Sequence, residues 1–292
     1  MRKQFVKTIE NIFANDKDFV LLLCDIGVYG FRNSFKKFPD KIYNIGIMEQ
    51  STVGLSAGIS LCGLNPTIHT IAPFLIERAY EQIKVDLCYN NLMANLVSVG
   101  GSFDYSGLGC THHCPNDVNL INNLPNTNVF LPGDEDEFNF LFNKYYKSGK
   151  VNYFRLSEYS NQYLNTKKLS NSHILKEGNE LAILVVGNLL ENVLRASSDL
   201  DVTILYTNTI KPFDITILEK FKNQKLLIFE PYTPGAIINN ILNSGYKIQK
   251  GINNYGIPIK FIDKYGSYSD LISHVGLNEQ SIRHKIIENI ND

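Results

Sequence analysis

Glu49 stands in the stretch Tyr43 to Ala57, YNIGIMEQSTVGLSA, where a short apolar run turns into a helix of small residues. Ile45 and Ile47 flank Gly46, and Ser51, Gly54, Ser56, Ala57, Gly58 and Ser60 make a helix slim enough to pack closely on a sheet or another subunit. An acid at such a junction is partly withdrawn from water, which suits it to exchange a proton with a bound group. The plainer reading is an N-terminal helix acid favoured by the macrodipole. A second concentration of reactive side chains is the loop CTHHC, which holds Cys110, His112, His113 and Cys114. Zinc motifs usually pair two short clusters across a longer spacer, and no second CxxC or HxxxH occurs, so no metal ligand is assigned. His112 and His113 read either as substrate-facing donors or acid/base groups on a glycine-rich loop, or as histidines satisfying the loop backbone. Asp25 follows the run FVLLLC, at the strand end where α/β proteins build ligand contacts; capping of a nearby backbone is the alternative.

These residues need a frame, and the chain alternates strand-like and helix-like segments, the pattern of an α/β protein. Phe5, Val6, Ile9, Ile12 and Phe13 form a helical stripe, and Phe19 to Cys24 reads as a strand buried on both faces. Strands are expected at 67–72, 95–100, 128–131 and 153–156, with helices at 49–60, 74–89, from Pro115, and over 134–146. The loop GGSFDYSGLGCTHHCPNDV is long, glycine-rich and polar, as functional loops are. A polar stretch, 158–172, reads as a linker. Beyond it, strands are expected at 181–186, 202–206, 225–229 and 259–262, with helices at 189–200, around 214–221, at 234–242 and after Asn278. The expected organisation is a first unit over 1–160, a linker over 161–177 and a second unit over 178–292, both units three-layer with parallel sheets.

The 292 residues carry a formal net charge of −1, so no polyanion-binding surface for nucleic acid is expected. Five cysteines, Cys24, Cys62, Cys88, Cys110 and Cys114, are an odd number and read as reduced thiols in a cytoplasmic setting. The N-terminus MRKQFVKTIENIF contains acid, unlike a signal peptide, and no apolar run approaches the roughly 20 residues needed to cross a bilayer.

Four segments taken in order, IYNIGIMEQSTVGLSAGISLCG, TIAPFLIERAYEQIKVD, GLGCTHH and LPNTNVFLPGDEDEF, resemble the pyrimidine-binding domain of transketolase and deoxyxylulose-phosphate synthase. The remainder of the chain is similar to their C-terminal domain. The resemblance implies thiamine diphosphate chemistry, with transfer of a two-carbon ketol unit from a ketose, or ketose phosphate, to an aldose. It places Glu49 on the glutamate that hydrogen-bonds N1′ of the aminopyrimidine, Phe74 on the aromatic that packs against that ring, Asp25 near the cofactor, and His112 on the histidine that contacts the sugar. A rival of the same class is a pyruvate-decarboxylating synthase or a 2-oxoacid dehydrogenase β-type subunit. A rival of another class is a non-catalytic assembly subunit.

The departures from the family pattern are specific. A histidine and an arginine that grip the substrate phosphate in transketolases have Phe103 and Leu131 in their places, and the loop before His112 is shorter. Charge for a phosphate would then come from Arg155, Arg78 or a partner chain, with His113 beside His112. The helix after Phe74 is one residue longer than usual. No GDG motif for a diphosphate-bound Mg²⁺ is present; Pro132-Gly133-Asp134 comes nearest and is followed by Glu135. The expectation is therefore one half of a split enzyme. A separate N-terminal-half subunit would hold the diphosphate and Mg²⁺ in an α2β2 assembly, with self-association through the pyrimidine-binding and C-terminal domains.

Overall fold

A computed structural model describes residues 1–162 and 169–292. Its strands are β1 (Phe19–Leu23), β2 (Ile42–Asn44), β3 (Asn65–Ile71), β4 (Ala94–Val99), β5 (Thr127–Phe130), β6 (Val151–Arg155), β7 (Ser172–Lys176), β8 (Leu181–Val186), β9 (Thr203–Thr207), β10 (Thr209–Lys211), β11 (Lys225–Phe229) and β12 (Ile252–Tyr255). They form a seven-stranded sheet ordered β10-β5-β6-β4-β3-β1-β2 and a five-stranded sheet ordered β12-β11-β8-β9-β7. All pairings are parallel except the two edges β10 on β5 and β7 on β9. This is the expected α/β class with two parallel-dominated sheets. Such sheets are covered on both faces, which is why β1, β4, β6 and β8 are buried throughout.

One face of the larger sheet is covered by helix Arg2–Asn15, whose buried stripe Phe5, Ile9, Ile12 and Phe13 shares an aromatic core with Phe31, Phe138, Phe142 and Phe154. The other carries helix Glu49–Leu61 and the segment 73–89, sharing a core with Leu131, Ile210, Leu184 and Val186. That core runs from one sheet to the other. Helix Glu135–Tyr145 starts where Asp134 accepts from the Glu137 N–H at 2.9 Å, an N-cap reinforced by three acids in the first turn.

A line of amides crosses the larger sheet near the start of its strands. Asn128 donates to Asn152 (2.8 Å), Asn152 to Asn95 (2.9 Å), Asn95 to Asn65 (3.0 Å) and Asn65 to the Tyr146 carbonyl (3.0 Å). Four neighbouring strands are thereby joined through side chains as well as backbone.

Three expectations differ from the structure. The run 259–262 is not a strand: Ile259 and Phe261 point outward, 90% and 89% exposed, while Ile257 and Ile262 are buried. Pro258 removes a ladder donor there, and the edge place is taken by β12, whose sequence INNY carries too little apolar signal to be read as a strand. Part of the expected linker, Ser172–Lys176, pairs antiparallel with β9, while residues 163–168 of it lie outside the described residues. Helix Tyr268–His274 falls outside the expected helices, although Ser267 and Asp270 form a capping box. Among the described residues no helix is long and apolar enough to cross a membrane.

Candidate active site

Glu49 is placed by a sharp entry into its helix. β2 ends at Asn44, Gly46 takes a φ of +83°, and Glu49 is the first helical residue. Its side chain is only 2% exposed. The end of β1 is tied to the same turn, because Cys24 Sγ lies 3.4 Å from Thr52 Oγ1, which itself donates to the Met48 carbonyl at 2.8 Å. The expected helix 74–89 is interrupted by wide turns at Pro73–Glu77 and Ile83–Tyr89. The Arg78 N–H donates to the Pro73 carbonyl, five residues back, at 3.0 Å. Such a turn accommodates one extra residue without breaking the helix.

The consequence is a continuous wall of side chains. Arg78 Nη1 donates to Glu49 Oε2 at 2.8 Å, and the same guanidinium lies over the Phe74 ring, 4.2 Å from its centroid. The Phe74 ring meets His112 edge-on at 5.2 Å, and His112 meets Tyr105 at 6.2 Å. His112 Nδ1 lies 3.0 Å from Thr111 Oγ1. Glu49, Phe74, His112 and Arg78, chosen from sequence, are thus brought together. The wall offers a buried carboxylate, a flat apolar ring and an imidazole in one row.

The remaining expected residues lie elsewhere. His113 is buried, its Nε2 3.3 Å from the Ser106 carbonyl and its ring 5.1 Å from Phe103; burial pushes its pKa down. Cys114 turns toward Glu77 at 3.6 Å, so the CTHHC side chains point in different directions. Arg155 does not reach the wall either. It is buried in an ion pair with Asp117 (2.7 Å), and its other donors reach Ser102 Oγ (2.8 Å) and the Cys114 carbonyl (3.1 Å). Its guanidinium holds the loop to β6 and is not open to a ligand.

Asp25 has a φ of +58°, tolerable for an aspartate, and forms a reciprocal pair with Asn44: its N–H donates to Asn44 Oδ1 (3.0 Å) and its Oδ1 accepts from Asn44 Nδ2 (2.7 Å). It opens on a cavity of about 890 Å³ whose lining also includes Arg2, Lys3, Arg32 and His69. His69, one histidine in the strand NPTIHTI, gives no period or motif by which to be chosen. Two further buried acids carry no local signal of their burial. Burial pushes Asp104 up to about 6 despite hydrogen bonds from Ser157 and the Glu158 N–H. It pushes Glu137 up to about 7, although Tyr206 and the Gly133 N–H donate to it, each at 2.7 Å.

Several proteins of known sequence or structure are similar to this chain. A protein described as an uncharacterized 33.6 kDa protein in the fasciation locus of Rhodococcoides fascians is 33% identical over 97% of this chain and 92% of its own length. One subunit of the apulose-4-phosphate transketolase of Phocaeicola vulgatus is 26% identical over 98% of the chain and 96% of its own length. 1-Deoxy-D-xylulose-5-phosphate synthase of Aromatoleum aromaticum is 30% identical over 85% of the chain, which spans only 41% of that protein. A solved structure described as a split gene transketolase, inactive beta4 tetramer, superposes with a TM-score of 0.83 at 21% identity, covering 99% of this chain and 97% of that one. The family profile described as "Transketolase, pyrimidine binding domain" matches residues 1–161, which include the whole Glu49–Phe74–His112 wall. The chain belongs to the transketolase pyrimidine-binding domain family.

Proposed function

We propose that this chain is the pyrimidine-activating subunit of a split thiamine-diphosphate enzyme that transfers a two-carbon ketol unit between a ketose and an aldose. The observation that carries the reading is the withdrawn Glu49 carboxylate at a helix start, sharing one wall with the Phe74 ring. A carboxylate and an aromatic face are what an aminopyrimidine requires, one for its ring nitrogen and the other for its flat surface, so the residues present fit the group. When bound, thiamine diphosphate supplies the nucleophilic carbon and electron sink for breaking a bond beside a carbonyl. Glu49 exchanges a proton with N1′ of the pyrimidine. Phe74 holds the ring flat and keeps water from it, while His112, braced by Thr111, donates to or accepts from the sugar's oxygens.

Anchoring of the diphosphate and Mg²⁺ is assigned to a separately encoded partner in an α2β2 assembly. The likeness to one subunit of a transketolase and to a split-gene transketolase supports that assignment. The test is reconstitution with a partner that contains a GDG motif, followed by a cofactor-dependent assay on ketoses. Glu49→Gln should lower turnover by about 10²–10⁴-fold, the usual worth of a positioned proton-transfer group, with the assembly intact. Unchanged turnover in that variant, or pyruvate decarboxylation without ketose cleavage, would replace this reading.

A further inference from the structure

The loop that carries His112 closes on itself and is then covered from a distant part of the chain. Its ends are joined by a reciprocal pair of backbone bonds, the Ser102 N–H to the Cys114 carbonyl (2.9 Å) and the Cys114 N–H to the Ser102 carbonyl (3.0 Å). Both ends are also tied to the turn after β11, because Ser102 Oγ donates to the Pro231 carbonyl and the Thr233 N–H donates to the Pro115 carbonyl at 2.7 Å. At the tip of the loop Leu108 and Cys110 are exposed, yet Gly109 between them is buried.

Tyr265, in the segment that follows β12, is what covers Gly109. A Cβ on Gly109 would stand 2.5 Å from Tyr265 Cε1 and 2.8 Å from Cζ, so the ring lies directly on the glycine and no larger residue fits beneath it. Gly109 has a φ of +74° and a ψ of −162°, a backbone state that glycine adopts freely. In that state its carbonyl accepts from both the His112 N–H (2.9 Å) and the His113 N–H (3.1 Å). The resulting turn delivers the His112 ring to Phe74, with 5.2 Å between centroids.

Tyr265 comes from a fixed mount. Ile262 is buried on one side of it, and on the other the Ser267–Asp270 capping box opens helix Tyr268–His274, with the Ser267 N–H donating to Asp270 Oδ2 at 2.9 Å. Tyr268 stacks on Tyr159 at 3.7 Å. Tyr265 itself is 72% exposed, so its own burial contributes little to the fold, and the contact it does make is with the loop.

We propose that Tyr265 is a positioning residue for His112, acting through the Gly109 peptide. The ring blocks rotation of that peptide, both N–H groups stay on one carbonyl, and the imidazole is held against the Phe74 wall. The chain beyond β12 thereby shapes a site whose reactive groups all fall between residues 49 and 112. This deepens the proposed function by adding a residue from outside the family-matched stretch 1–161, and it rests on that function for turnover, while the placement of His112 is readable without it.

The test compares the full 292-residue chain, ¹³C-labelled at histidine, with Tyr265→Ala and Tyr265→Phe by NMR, His112 being assigned from the signal missing in His112→Gln. Tyr265→Ala should move the His112 ring signal and leave that of the buried His69 in place, the mark of an intact fold. Tyr265→Phe, which keeps Cε1 and Cζ, should restore the His112 signal. In the complex reconstituted with a GDG-containing partner, Tyr265→Ala should lower kcat/KM for a ketose about 10–100-fold, the cost of a group displaced by up to about 1 Å, and Tyr265→Phe should recover it. In a His112→Gln background Tyr265→Ala should cause no further loss, because a residue that acts through His112 has nothing left to position. An unmoved His112 signal in Tyr265→Ala, or the same fractional loss of turnover with and without His112, would overturn the inference. So would Tyr265→Phe behaving like Tyr265→Ala. The Glu49→Gln chain separates the two readings. If it turns over normally, the thiamine reading fails and the His112 signal still decides the positioning; if it loses turnover while Tyr265→Ala leaves the His112 signal unmoved, only the positioning fails.

Discussion

Replacing Arg78 by methionine should tighten binding of an aminopyrimidine, because the guanidinium already stands on both groups that the ring would use. One is the Glu49 carboxylate at 2.8 Å, the other the Phe74 face at 4.2 Å. A pyrimidine can reach them only after Arg78 has left. A charge-assisted hydrogen bond contributes roughly 1.5–3 kcal/mol net, and the lower end applies because Arg78 is 43% exposed and screened by water. The stacked cation adds about 0.5 kcal/mol at such a site. Eviction therefore costs about 2 kcal/mol, equivalent to about 30-fold in affinity. NMR titration of the chain with 4-amino-5-hydroxymethyl-2-methylpyrimidine measures this directly, with Glu49→Gln as the control that should lose binding. Equal or weaker binding by Arg78→Met would show that the guanidinium supports the ring and does not compete with it, and the reasoning would fail.

Glu137 gives a prediction about pH. Its carboxyl is raised from 4.5 to about 7, so the folded chain holds that proton more tightly than the unfolded one. The stability it contributes is full below about pH 4.5 and is lost as pH rises through 7, a span worth roughly 3 kcal/mol. Urea melts at pH 5 and 8 should show Glu137→Gln flattening that slope, mainly by gaining stability at pH 8. The buried Arg155–Asp117 pair makes a contrasting case. Asp117→Ala alone should cost roughly 3–5 kcal/mol by stranding a buried guanidinium, and Asp117→Ala with Arg155→Met should recover much of the loss in a double-mutant cycle.

Legibility in the sequence depended on whether a short window held the cause. FVLLL announces a strand buried on both faces, and the small residues after Glu49 announce a helix pressed against something, so the frame and its leading acid were legible. Arg78 reaches Glu49 only because of a wide turn that no apolar spacing reports. Arg155 was chosen for its charge, yet its fate is set by Asp117, 38 positions earlier in the chain. His69 became visible only when its strand, the Gly27 turn and the N-terminal helix were assembled around one space. The 259–262 run shows the reverse error, where apolar content suggested a strand that Pro258 and the course of the chain prevent.

The line of amides from Asn128 to Asn65 has a consequence for assembly of the larger sheet. Asn152 and Asn95 each spend a donor on the next strand and an acceptor on the previous one, while Asn128 begins the row and Asn65 ends it on the Tyr146 carbonyl, so the donors all run the same way and strengthen one another. A strand slipped by one position would turn its asparagine to the opposite face and leave two partners dry, a penalty shared across the row. Misregistered intermediates are thus selected against without any contact being stronger than ordinary. The platform beneath the reactive wall is expected to form in a single cooperative step and, once formed, to open last in hydrogen exchange.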